Sequence, residues 1–304
     1  MTRVAGIDCG TNSIRLLVAD VDPETGDLVE LDRRMKIVRL GQGVDKTGRL
    51  APEALERTFA ACREYAEVIK GLGAERLRFV ATSASRDAEN RHEFVDGVVE
   101  ILGVEPEVIT GDQEAAFSFT GATGELHGSQ KYLVFDLGGG STEFVIGNKS
   151  VEAARSVDIG CVRLTERHVR HDPPTADEVE AIRADVRAAL DLAAETVPID
   201  TAETLVGLAG TVTTVAGIVH GHTVYDSAKI HHARISAEQI AEVTDRLLAS
   251  THDERAAIPV MHPGRVDVII AGTLVLREIV ERVGAREVVV SEHDILDGIA
   301  LSVA

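Results

Sequence analysis

The segment Ile7-Asp8-Cys9-Gly10-Thr11-Asn12-Ser13-Ile14-Arg15-Leu16-Leu17-Val18 returns at a constant offset of 128 residues. Its second copy reads Phe135-Asp136-Leu137-Gly138-Gly139-Gly140-Ser141-Thr142-Glu143-Phe144-Val145-Ile146. Asp, Gly and Ser coincide and the flanking apolar pattern follows, so the chain reads as a duplicated unit, each copy opening on an acidic, glycine-rich hairpin. A length of 304 residues agrees with two domains of about 150 residues. The boundaries read from the pattern are 1–124, with 294–304 returning to pack on that domain, and 125–293. The hinge is placed at Gly124 to Gly128.

Helical and strand-like patterns alternate around the hairpins, as in a sheet covered by helices. Segments 52–71, 89–102, 112–126, 176–194, 236–248, 263–283 and 294–303 carry helical spacing. Segments 4–7, 14–21, 76–82, 106–110, 132–137, 142–146, 204–209 and 287–291 read as strands. After the strand at 204–209 comes a third small-residue loop, Gly207-Leu208-Ala209-Gly210-Thr211.

Composition narrows the function classes. Aromatic residues make up 3% of the chain and Trp is absent, so the cores are expected to be aliphatic. The net charge of −19, from 31 Lys plus Arg against 50 Asp plus Glu, opposes general attraction to nucleic acid or to an anionic membrane. No run approaches the roughly 18 apolar residues of a membrane span, and no charged leader precedes the first glycine motif, so a cytoplasmic location is expected. Cys9, Cys62 and Cys161 are too scattered for a disulfide framework or a zinc cluster and are read as packing residues. The eleven histidines show no spacing such as H-E-x-x-H, and none is assigned to metal.

A strand that ends in Asp, small residues and Ser or Thr presents consecutive backbone N–H groups in a concave turn suited to phosphate oxygens. Asn12, Ser13 and Arg15 of the first copy, Gly139, Gly140, Ser141 and Thr142 of the second, and Gly210 and Thr211 of the third loop are the candidate substrate-binding residues. An ordinary tight hairpin is the plainer reading of any one of them. Asp8 and Asp136 stand at equivalent strand ends, with Glu143 beside the second, and are candidate ligands of Mg²⁺, which favours a few carboxylates together with phosphate oxygens. Loop capping is the plainer role. Glu114, at a helix start after a strand, is placed to activate a nucleophile, or else serves as an N-terminal helix charge. Arg86 offers a rigid guanidinium fork for a phosphoryl group, or is a surface arginine. Together these features imply the α/β, duplicated actin-like (ribonuclease H-like) ATPase fold, two domains with an interdomain active-site cleft.

Six blocks carry a more specific likeness: 6–16 (GIDCGTNSIRL), 81–90 (ATSASRDAEN), 111–115 (GDQEA), 136–143 (DLGGGSTE), 210–214 (GTVTT) and 263–267 (PGRVD). In order and spacing they resemble the exopolyphosphatase and guanosine pentaphosphate phosphohydrolase (Ppx/GppA) family, in its short two-domain bacterial branch. The resemblance implies hydrolysis of the terminal phosphate of inorganic polyphosphate, or of the 5′ γ-phosphate of guanosine pentaphosphate. It implies Mg²⁺, with Mn²⁺ as a substitute and a monovalent cation as a further possibility, a homodimer, and guanosine tetraphosphate as another alarmone ligand. It also implies Glu114 as the water-activating base and Asp136 and Glu143 as metal ligands. Residues 291–298 (SEHDILDG) depart from the family pattern.

A polyanionic substrate and a −19 protein require local positive charge. Three basic runs offer it: Arg33, Arg34, Lys36 and Arg39; Arg163, Arg167, His168, Arg170 and His171; and Lys229, His231, His232 and Arg234. A solvated face is the plainer reading of each. The expected function is an exopolyphosphatase. The alternatives are a guanosine pentaphosphate phosphohydrolase, a non-catalytic polyphosphate or alarmone sensor, and an actin-like ATPase or sugar kinase.

Overall fold

The computed structural model describes residues 1–126 and 130–304; the expected hinge at Gly124 to Gly128 runs partly outside them. The described chain divides into two compact units, Met1–Gly121 with Ile295–Ala304, and Ala122–Asp294.

The first unit begins with β1 (Thr2–Cys9), β2 (Ser13–Val21) and β3 (Leu28–Ile37), followed by α1 (Val44–Thr47) and α2 (Pro52–Leu72). β4 (Arg76–Ala81), α3 (Ser83–Asp87), α4 (Arg91–Leu102), β5 (Glu107–Val108) and α5 (Gly111–Thr123) complete the run. The sheet order is β3-β2-β1-β4-β5. The first three strands are antiparallel, and β4 and β5 run parallel to β1. Helix α2 starts on Pro52 and stops on Gly73 in the left-handed region, the end signals that its sequence carries. Its inner face buries Leu55, Cys62 and Tyr65 against Ile7, Ile14 and Phe79.

The second unit repeats this arrangement with β6 (Tyr132–Leu137), β7 (Thr142–Gly147), β8 (Val151–Val157), α6 (Cys161–His168) and α7 (Ala176–Ala194). Then come β9 (Thr204–Leu208), α8 (Ala209–Val219), α9 (Ser227–Ile230), β10 (Arg234–Ser236), α10 (Ala237–Ala249), α11 (His252–Ala256), α12 (Ile269–Val283) and β11 (Glu287–Val290). Read from β8, the order is β8-β7-β6-β9-β11-β10, which is the order of the first sheet with one antiparallel strand added at the edge. Two sheets of this order are the duplicated actin-like fold. The buried cluster of the second unit is aliphatic, with Phe135 and Phe144 its aromatic members among the described residues. No helix of the described residues is long and apolar enough to cross a membrane.

The last helix, α13 (Ile295–Leu301), belongs to the first unit. It buries Leu296 and Ala300 against Val4, Leu17 and Val21, and Ile295 and Ile299 against Val80 and Ile109. The approach is close. A Cβ at Gly6 would stand 3.2 Å from Ile299 Cγ2, and one at Gly298 would stand 2.2 Å from the Phe117 carbonyl oxygen.

Three readings of the sequence are corrected. The helical pattern at 263–283 is a short 3₁₀ turn, Pro263–Arg265, and then a separate helix from Ile269; Pro263 and Gly264 interrupt the continuous form. The stretch after β9 is not an extended loop, because Ala209 takes a left-handed φ of 69° and Gly210 already lies in α8. The strand expected at 106–110 shrinks to Glu107–Val108.

Helix α7 shows how the ends of these helices are secured. Thr175 accepts from Glu178 N–H at 3.3 Å, and Glu178 accepts from Thr175 N–H at 2.8 Å, a reciprocal cap. Arg170 N–H also donates to Glu178, at 2.8 Å, and His171 Nδ1 lies 2.9 Å from it. The backbone hydrogen bond from Thr175 and then the His171 contact hold the Glu178 carboxyl down at about 2. A carboxyl depressed in this way stabilises the folded form above its unfolded value of about 4.3, and the contribution is lost as pH falls toward 2. Replacing Glu178 with Gln should therefore flatten the acid limb of the stability curve between those values. Urea unfolding at pH 7, 4 and 2.5 measures it, and parallel curves for wild type and variant would exclude the cap as its source.

Candidate active site

Both hairpin loops are shaped by the same settlement of backbone hydrogen bonds. In the second unit Gly138 N–H donates to Ser141 O at 3.0 Å; in the first, Gly10 N–H donates to Ser13 O at 2.9 Å. The remaining loop carbonyls are then tied off from outside. The first three N–H groups of α6 donate to them, Cys161 to Gly138 O and Val162 and Arg163 to Gly139 O, at 3.1, 2.9 and 3.1 Å. Arg163 Nε takes Gly140 O at 2.7 Å, and Thr142 Oγ1 donates to Ile159 O at 2.6 Å. With the carbonyls engaged, the N–H groups of Gly139, Gly140 and Ser141 donate to no other group among the described residues. That leaves a row of donors for an anion.

The first unit reaches the same state with different residues. Val38 and Arg39 N–H donate to Asn12 O at 3.0 and 2.9 Å, and Gly41 N–H donates to Thr11 O at 2.9 Å. Asn12 Oδ1 is buried without a hydrogen-bond partner among the described residues, and a buried acceptor in that state is normally completed by water or ligand.

Strand register decides which charges meet. Asp136 stands directly opposite Glu143, and Glu143 opposite Ser156; in the first unit Asp8 stands opposite Arg15. Directly opposed side chains share a face of the sheet about 5 Å apart. Arg15 therefore gives Nε and Nη2 to Asp8 Oδ2 at 3.0 and 2.7 Å. The second unit instead sets two carboxylates side by side, Asp136 at 7% and Glu143 at 1% exposure, with Ser156 Oγ donating to Glu143 Oε1 at 2.7 Å. Two buried carboxylates on one sheet face are costly unless positive charge or a proton compensates them. An oxygen-only donor set fits Mg²⁺.

Glu114, in the first turn of α5, is 9% exposed. Arg86, in α3, donates Nη1 to Glu114 Oε2 and to Ile109 O, both at 2.9 Å, so base candidate and guanidinium candidate are in contact. Gly210 and Thr211 form the first turn of α8. The Arg265 guanidinium lies directly over Gly210, where a Cβ would be 1.2 Å from Nη1. Burial pushes the Cys161 thiol up and the Cys62 thiol up to about 12. These buried, unpaired cysteines are packing groups, not nucleophiles.

The basic runs are largely spent on neighbouring carboxylates. Arg33 pairs with Asp297 and Glu30, Arg34 with Asp32, and Lys36 with Glu64. Arg167 and His168 share Asp185, Lys229 meets Asp226, and Arg234 meets Glu287. The first run lies in one unit and the other two in the other. Within each unit these runs are engaged in salt bridges.

Sequence reading missed Gly160 and Ser156, and took Arg163 as one of a basic run and not as the group that holds Gly140 O. A Cβ at Gly160 would sit 2.3 Å from the Gly139 carbonyl carbon and oxygen, as one at Gly41 would meet Thr11 Cγ2 at 2.3 Å. The available signal was the apolar-glycine step after each third strand, Leu40-Gly41 and Ile159-Gly160. Gly160→Ala must push the loop out of place. One or two charge-assisted hydrogen bonds, each about 1.5–3 kcal/mol, are then lost, a weakening of at least about tenfold. Calorimetric titration with a short inorganic polyphosphate tests this; unchanged affinity in folded Gly160→Ala would refute the packing argument.

Residues 17–304 match the model of the Ppx/GppA phosphatase family. The chain is 52% identical to Exopolyphosphatase 2 of Mycobacterium tuberculosis, across 100% of this chain and 99% of that protein. Among solved structures, an exopolyphosphatase-like protein is 46% identical with a TM-score of 0.95, covering 99% of this chain and 97% of that one. The Aquifex aeolicus family member is 32% identical with a TM-score of 0.83, at the same coverage of each chain. The chain belongs to the Ppx/GppA phosphatase family, and with it to the hydrolases.

Proposed function

We propose that this protein is an exopolyphosphatase, releasing orthophosphate from the end of inorganic polyphosphate by attack of water. The observation that carries the reading is the row of N–H groups at Gly139, Gly140 and Ser141 beside the Asp136–Glu143 pair. It joins an anion cradle to a pair of carboxylates whose oxygens suit a cation. The relative at 52% identity, matched along its full length, is named an exopolyphosphatase. A guanosine-5′-triphosphate,3′-diphosphate pyrophosphatase of Photobacterium profundum is 30% identical over 88% of this chain, which keeps guanosine pentaphosphate as the second substrate to test.

In this reading the loop N–H groups bind the phosphoryl oxygens and are fixed in advance by α6 and Arg163, so no reorganisation is needed as charge develops. Asp136 and Glu143 would hold Mg²⁺, which supplies charge neutralisation on the phosphate oxygens. Asp8 serves differently from Asp136: it orients Arg15, whose guanidinium would repel a second cation placed there. Arg86 orients the Glu114 carboxylate, which takes the proton of the attacking water.

Phosphate release from polyphosphate and from guanosine pentaphosphate, side by side and with and without Mg²⁺, tests the assignment. Turnover of polyphosphate that disappears with Mg²⁺ removal is the expected result. Faster turnover of the nucleotide would reverse the substrate order, and binding without turnover of either would make the protein a sensor. The roles separate by substitution. Glu114→Gln should lower turnover by about a hundredfold or more while polyphosphate still binds. Asp136→Asn should shift the Mg²⁺ midpoint upward, and an unchanged midpoint would remove Asp136 from the metal site.

A further inference from the structure

Outside the hairpin loops, the second unit gathers two histidines and a glutamate that the proposed chemistry does not use. Glu125 follows α5, His231 follows α9, and His293 precedes α13, so Glu125 meets a histidine 106 residues further along the chain. His231 Nε2 lies 3.0 Å from Glu125 Oε2, and His293 Nδ1 lies 3.7 Å from Glu125 Oε1. One donor atom from each of the three residues falls within 4.8 Å of the others. The two imidazole rings are 4.4 Å apart between centroids, and His232 stacks on His231 at 3.8 Å.

We propose that Glu125, His231 and His293 form a binding site for a borderline divalent cation of the Zn²⁺ type, separate from the carboxylate pair of Asp136 and Glu143. Two imidazole nitrogens and one carboxylate oxygen form a donor set that Zn²⁺ favours and Mg²⁺ does not. Ligand atoms about 2.0–2.1 Å from a tetrahedral ion stand roughly 3.4 Å from one another. The two nitrogens approach different oxygens of Glu125, at 3.0 and 3.7 Å, and one donor atom from each residue lies within 4.8 Å of the other two, so the set must draw in on the ion. Three protein ligands leave a fourth position for water, and the Glu125 side chain, 58% exposed, is open to it.

The cation-free hydrogen bonds show what binding must change. His231 Nδ1 accepts Glu292 N–H at 3.1 Å, so the ring proton sits on Nε2 and is donated to Glu125. A cation taken at Nε2 moves that proton to Nδ1, and Glu292 N–H turns away. Two hydrogen bonds are given up, Nε2–H to Glu125 and Glu292 N–H to Nδ1, for three coordinate bonds, which are together the larger gain. The site also explains a choice of partners: it joins residue 125, four positions past the boundary at 121, to residue 293, just before the boundary at 294. The ion would thus close the two ends of the second unit on each other and oppose its unfolding.

Equilibrium dialysis of the full chain against Co²⁺, with Mg²⁺ in excess to occupy the carboxylate pair, tests the site directly. Wild type should hold one Co²⁺ per chain more than the His231→Ala/His293→Ala double variant, with visible absorption bands that the variant lacks. Glu125→Gln, at an exposed position where folding is not at issue, should weaken Co²⁺ binding at least about tenfold. Wild type alone should gain melting temperature in Zn²⁺. Equal Co²⁺ content and spectra in wild type and Glu125→Gln would overturn the site. So would Co²⁺ binding by the wild type that vanishes in Asp136→Asn.

Discussion

A phosphate-binding turn works only if its own carbonyls are occupied elsewhere, and this fold depends on meeting that condition twice. An anion cannot approach a turn whose oxygens point at it. The chain solves this by running a third strand past each hairpin and bringing the segment after it back across the loop. In the second unit that segment is the first turn of α6 with Arg163, and in the first unit it is Val38, Arg39 and Gly41. The glycines at Gly41 and Gly160 follow from the closeness of the approach. Third strands, α6 and these glycines are thus parts of one device, although none of them is in the repeated segment itself.

Within that shared frame the two copies have diverged at one opposed pair. Asp8 faces Arg15, whereas Asp136 faces Glu143. A single exchange of charge opposite the aspartate shared by the two copies gives one arm an ion pair and the other a pair of carboxylates. This bears on the net charge of −19. Many lysines and arginines of the basic runs already have carboxylate partners, so the proposed attraction for a polyanion would rest on backbone N–H groups and a cation.

The duplication, the hairpins and the long helices were legible because they combine strong periodicity with end signals; the helix read at 176–194 is Ala176–Ala194 in the structure. Strands β3 and β8 were not, since LVELDRRMKI and VEAARSV lie at sheet edges where neither face enforces a clean alternation. Helix α8 escaped because Gly-Thr-Val-Thr-Thr has poor helix propensity, which burial in the core overrides. Asp136 and Glu143 were candidates from the repeat and from the family resemblance, whereas their different partners, and the pairing of Arg15 with Asp8, depend on strand register. The cluster of Glu125, His231 and His293 leaves no local trace, because its members meet only through the tertiary fold.

The return of α13 to the first unit makes that unit discontinuous in the chain, and this bears on the order of synthesis. β1 is made long before α13, yet the side chains that cover Val4, Leu17 and Val21 belong to residues 296 and 300. On the ribosome the whole of the second unit emerges before that apolar face is sealed. The second unit is a continuous segment that can complete its own core, while the first waits with an open flank. Quality control during translation would therefore meet the N-terminal half of this protein unfinished for most of the time taken to make it.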